Sequence, residues 1–176
     1  FQDLNPADVG LDRFLERIAQ FVRNGGGFAI IGAENGFAPS AMSRPPFSEI
    51  LPIALPDATS APAIPDALPL RAALTEAGRR HPMTRLVNDE AQNAALWDSL
   101  ERLDGMIRVP GATEDGIVLL VPAGERTEES SSPLLAVREV GDGRTIAITT
   151  DSLWRWRFSG PLTGGDADAY PSFWRN

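Results

Sequence analysis

Apolar residues recur at Leu11, Phe14, Leu15, Ile18 and Val22, at the three- and four-residue intervals of one helix face. Gly25-Gly26-Gly27 stops that helix, because glycine takes a left-handed C-cap without steric penalty. Phe28-Ala29-Ile30-Ile31 shows no polar alternation and predicts a strand covered on both faces, as in a parallel sheet. Gly32 to Gly36 follows at the strand's C-terminal end, the edge where open α/β sheets bind ligands.

Further along, Pro52 to Pro69 predicts a proline-rich surface excursion, strand-like around Ile53 to Leu55, and Leu70 to Thr75 predicts a short strand before a turn region at Ala77 to Pro82. Asn88 or Asp89 can cap a helix running to Leu100, and Leu103 to Val109 leads into a strand after Gly105. Ile117 to Val121 is the second strong buried-strand pattern, and Gly124 to Ser132 reads as a surface loop. Leu134 to Arg138 and Thr145 to Thr150 flank Gly141-Asp142-Gly143 as an antiparallel hairpin. Pro161 to Asp168 reads as irregular, and Tyr170 to Asn176 as the start of a helix. The sum is one three-layer α/β domain over residues 1–176, with a mostly parallel sheet and an antiparallel edge hairpin.

Composition narrows the chemistry. With 176 residues the chain supports one good core. It has no cysteine, which removes disulfides, thiolate catalysis and cysteine-held metals together. The formal charge is -8, and all 16 basic residues are arginine, so an acidic surface argues against a nucleic-acid partner. No apolar run is long enough to insert in a membrane, and FQDLNPADVG lacks the basic start and apolar run of a signal peptide.

Glu34 and Asn35, framed by Gly32 and Gly36, are the first site candidates: a polar ligand site, or a carboxylate used as a helix cap or arginine partner. The glycine run at 25–27 is no phosphate loop, since it precedes its strand and lacks the Gly-x-Gly-x-x-Gly and Gly-Lys-Ser/Thr patterns. His81, the only histidine, is an acid–base candidate or a loop hydrogen-bonder. Asp151 and Ser152 stand at another strand end, where they can line a ligand site; Ser152 has no nucleophile-elbow signature. Trp154, Arg155, Trp156 and Arg157 alternate as residues of interface hot spots do, or as core tryptophans between surface arginines. No metal site or cofactor is expected: a carboxylate pair such as Asp151 with Asp89 or Glu34 lacks any calcium-loop spacing.

The segments FVRNGGGFAIIGAENGF, LTEAGRRHPMTRL, SSPLLAVREVGDGRTIAITTDSLWRWRF and FWRN together resemble a family of uncharacterised bacterial proteins with class I glutamine amidotransferase-like domains. The resemblance implies a flavodoxin-like fold and a place inside larger, in some cases membrane-anchored, proteins beside von Willebrand factor A-like modules. It implies further that residues 1–176 are a fragment, with a strand–helix unit before Phe1 and a helix after Asn176. In class I amidotransferases a Gly-x-Cys-x-Gly elbow supplies the thiolate, assisted by a late His-x-Glu. Here the elbow reads Gly32-Ala33-Glu34-Asn35-Gly36, with Glu34 in the cysteine's place; the late His-x-Glu is missing, and Asp151 falls near the histidine's position. A carboxylate cannot take over thiolate chemistry without an imidazole to move the proton. The expectation is a non-catalytic amidotransferase-like domain that binds a protein partner, other domains of its own chain, or a small ligand. The alternative is a hydrolase of altered chemistry using Glu34 with Asp151 or His81.

Overall fold

The amphipathic pattern becomes helix α1 (Leu15–Arg23), which buries Leu15, Ala19 and Val22; a 3-10 turn over Asp12–Phe14 takes up the first part of the predicted helix. The chain leaves α1 through Gly25 at φ 103° and enters strand β1 (Gly27–Ile31). The computed structural model describes residues 1–2, 6–32, 36–37, 41–56, 65–124, 132–157 and 169–176. Strands β2 (Ile53–Ala54), β3 (Pro65–Asp66) and β4 (Ala72–Leu74) follow. Next come α2 (Glu76–Arg80), α3 (Glu90–Ser99), β5 (Met106–Ile107) and β6 (Gly111–Ala112). Then come β7 (Ile117–Pro122), β8 (Leu135–Val140), β9 (Gly143–Ile148) and a C-terminal helix, Ala169–Arg175.

The main sheet has five strands in the order β1-β9-β8-β7-β4, and two small ribbons pair β2 with β6 and β3 with β5. β1 runs parallel to β9, while β9–β8, β8–β7 and β7–β4 are antiparallel. The protein is therefore α/β with a mixed sheet, and the expected mostly parallel sheet gives way to one parallel pair among the described strands. The predicted hairpin is also central, with β9 between β1 and β8, and not at an edge. The physical reason is that a uniformly apolar strand reports cover on both faces, not the direction of its neighbour. β7 buries Leu119, Leu120 and Val121, yet both described neighbours run against it.

Alternation along the strands sends side chains to two cores. Ile30, Ala136, Val140 and Ala147 pack with α1, Phe37 and Phe47 on one face. Leu135 and Ile148 pack on the other with Trp97, Trp156 and Phe173. The hairpin tip secures α1: Gly141 turns at φ 59°, and the Asp142 amide donates to the Arg23 carbonyl at 3.0 Å, satisfying an end group of the helix. A Cβ on Gly143 would overlap the Val22 carbonyl oxygen, so only glycine allows this approach.

The region read as a turn at Ala77 to Pro82 instead begins as helix α2. Thr75 caps it, its hydroxyl accepting from the Gly78 amide at 2.8 Å. Asp89 caps α3 in the same way, accepting from the Gln92 amide at 2.8 Å, as its residue type predicts.

Candidate functional site

Because β1 and β9 are parallel, their C-terminal ends meet at one edge, where the Gly32 amide donates to the Ile148 carbonyl at 2.8 Å. Glu34 and Asn35 lie outside the described residues. Gly36 and Phe37 are described and buried, and the Phe37 ring fills the space a Cβ on Gly32 would take. An aromatic side chain thus packs tightly beside the end of β1.

On β9's side, Asp151 is exposed and makes no side-chain cap to the turn Ser152–Trp154. Ser152 is buried, and its hydroxyl is shared between the Thr150 hydroxyl at 2.8 Å and the Asp104 amide at 3.1 Å. That hydroxyl is fixed in a local hydrogen-bond network, and among the described residues its side-chain partner is the Thr150 hydroxyl, not a base that could remove its proton. Its role is to hold the 104 and 150 loops together.

The alternating tryptophans divide between surface and core. Trp154 is 48% exposed, and Arg155 lies over its ring at 6.0 Å while forking onto Asp104 at 2.8 and 3.0 Å. Trp156 is 2% exposed and meets Trp97 edge-on at 5.4 Å and Phe173 at 6.1 Å. Its indole N–H donates to the Glu101 carbonyl at 3.1 Å. The expectation of a surface that includes Trp156 is corrected: the turn at 152–154 rotates that side chain into the second core. Arg157 is exposed.

His81 stands at the opposite end of β9 from Asp151. It lines a cavity of about 630 Å³ with Met83, Ala29, Ile117, Val137, Glu139 and the first half of β9, whereas Asp151 follows that strand's last residue. The structure does not bring His81 and Asp151 together. Nδ1 of His81 accepts from the Met83 amide at 3.2 Å, so the neutral ring carries its proton on Nε2. Burial lowers the His81 pKa below 6.5, and the Glu139 carboxylate opposes part of that shift.

Sequence reasoning missed this cavity. Its floor is a single register row, Ala29–Ile146–Val137–Ile117, crossing β1, β9, β8 and β7. The alternation of Val137 with Glu139 and of Arg144 with Ile146 carries the signal, once the hairpin register is known. Among the described residues no group of three or more metal-ligating side chains is found, and no helix is long and apolar enough to cross a membrane.

No protein-family model matches the chain, and no curated protein matches it significantly. Several solved structures resemble it, among them two proteins from Salmonella typhimurium. The cytoplasmic protein STM3548 from Salmonella typhimurium superposes with a TM-score of 0.62 at 19% identity, over 93% of this chain and 69% of that one. The cytoplasmic protein STM1381 from Salmonella typhimurium LT2 gives a TM-score of 0.62 at 19% identity, over 100% of this chain and 68% of that one. At such identity the likeness speaks for a shared fold alone.

Proposed function

We propose that the chain is a non-catalytic, flavodoxin-like domain of the class I amidotransferase-like kind, working as an interaction or small-ligand-binding module of a bacterial multidomain protein. The observation that carries this reading is the Phe37 ring packed into the space beside Gly32. A glutaminase needs room at that strand end for a nucleophile and its amide substrate. The chain has no cysteine to act there, and its one histidine lies at the other end of β9. Ser152, the nearby hydroxyl, is occupied in structural bonds. Partners are then proteins or other domains of the same polypeptide, and the net charge of -8 weighs against nucleic acid.

Ammonia release from L-glutamine tests the reading. The protein should release none above a heat-unfolded control. Turnover that disappears in Glu34→Gln would overturn it and favour the altered-chemistry hydrolase.

A further inference from the structure

Among the described residues, the face of the sheet opposite α1 is only partly covered. The row Ala29, Ile146, Val137 and Ile117 crosses four strands, about 14 Å at the usual interstrand spacing. Ala29, Ile146 and Val137 are half-buried, and Ile117 is 46% exposed. His81 and Met83 wall the cavity above this floor.

Two residues further along the same strands, the next row on this face is Gly27, Arg144 and Glu139. Arg144 and Glu139 face each other directly across β9 and β8, and both are exposed. Among the described residues, neither side chain makes a hydrogen bond or an ion pair, with each other or with any neighbour. Directly opposed cross-strand residues place their Cβ atoms about 5 Å apart. An anion and a cation at that spacing match the ammonium and carboxylate of one amino-acid head group, and charge-assisted bonds to them are the strong class. Gly27, the member of that row on β1, brings no side chain to obstruct it. The Nε2–H of neutral His81 adds a donor on the wall. The volume of about 630 Å³ falls in the range of small-ligand sites.

The geometry points to a binding site for a zwitterionic ligand with an apolar body, a hydrophobic amino acid or short peptide. Its ammonium sits on Glu139, its carboxylate on Arg144, and its side chain on the Ala29–Ile146–Val137–Ile117 row. This assignment rests on the reading of the domain as a binding module and moves the ligand from the C-terminal strand ends to the opposite half of the sheet.

The test is calorimetric titration of the whole protein with L-leucine, L-phenylalanine and leucyl-leucine. Saturable binding is expected, weakened about tenfold or more by either Glu139→Gln or Arg144→Gln, since each removes one charge-assisted contact. Isocaproate and leucine amide, each lacking one charge, should bind the unaltered protein correspondingly weakly. Ile117→Asp, at an exposed position, should abolish binding while circular dichroism stays unchanged. Tighter binding of the dipeptide than of leucine assigns the site to peptides; the reverse order assigns it to free amino acids. No binding of any of the three at millimolar concentration overturns the inference, as does binding that the charge variants leave unchanged. Ammonia release from L-glutamine would instead overturn the non-catalytic reading, so the two failures are told apart.

Discussion

The Phe37 ring occupies the ground that a Cβ on Gly32 would claim, and both residues are buried. The pair packs closely where β1 ends. Gly32→Ala must displace a fully buried ring, an overpacking that costs about 1–3 kcal/mol. Phe37→Ala empties the space and costs about 3–5 kcal/mol. Urea unfolding followed by circular dichroism checks both values. A neutral Gly32→Ala would show that the ring moves aside freely, and the end of β1 could then open to a ligand.

The two tryptophans at 154 and 156 should separate cleanly in the same measurement. Trp156 contacts Trp97 and Phe173 inside the second core, so Trp156→Ala should cost about 3–5 kcal/mol. Trp154→Ala, at 48% exposure and with Arg155 over its ring, should cost about 1 kcal/mol or less. Near-equal losses would contradict the division of this segment into core and surface.

The elements easiest to read in the sequence were those whose information is local. The face of α1, the strand β1, the Asp89 cap and the Gly141 hairpin each follow from residues within one turn or one strand. Neighbour choice along the sheet is not local. β1 finds β9 across more than a hundred residues, and nothing in the Phe28–Ile31 pattern names that partner. The same limit hid the cavity, because Ala29, Ile117, Val137 and Ile146 come from four strands and converge only through register. Thr75 was a legible cap for α2. Gly78 masked it, a residue that reads as a breaker but is used where a Cβ would overlap the Leu119 carbonyl. Of the site candidates, Ser152 and Trp156 had residue types suited to function and burial that assigns them to structure.

Asn93 illustrates a buried polar group with no place in the sequence reading. Its Oδ1 accepts from the Leu86 amide at 2.8 Å and the Val87 amide at 3.3 Å, while its Nδ2 donates to the Thr84 carbonyl at 3.1 Å. Trp97 donates its indole N–H to that same carbonyl at 2.8 Å. Asn93→Ala leaves the buried Leu86 amide without an acceptor, which costs about 1–3 kcal/mol. Hydrogen exchange should show the Leu86 amide losing protection more than amides of β8. Unchanged protection would mean that water or a shifted loop replaces the side chain.

His81 makes stability depend on pH in a direction fixed by its surroundings. Burial lowers its folded pKa below 6.5, so the unfolded chain binds more protons than the native one as pH falls through that value. The contribution is fully present above pH 6.5 and is lost as pH drops through the lowered folded value. His81→Asn keeps an acceptor for the Met83 amide and removes the titration, so the wild type should lose stability relative to this variant on acidification. Glu139→Gln removes the carboxylate that supports the imidazolium, while Arg144 remains on the same cavity wall. The His81 pKa then falls further, and the acid loss becomes larger than in the wild type. Urea midpoints across pH 8 to 5, with imidazole titration by NMR, read both effects. An acid loss in Glu139→Gln smaller than in the wild type would show that Glu139 does not act on His81.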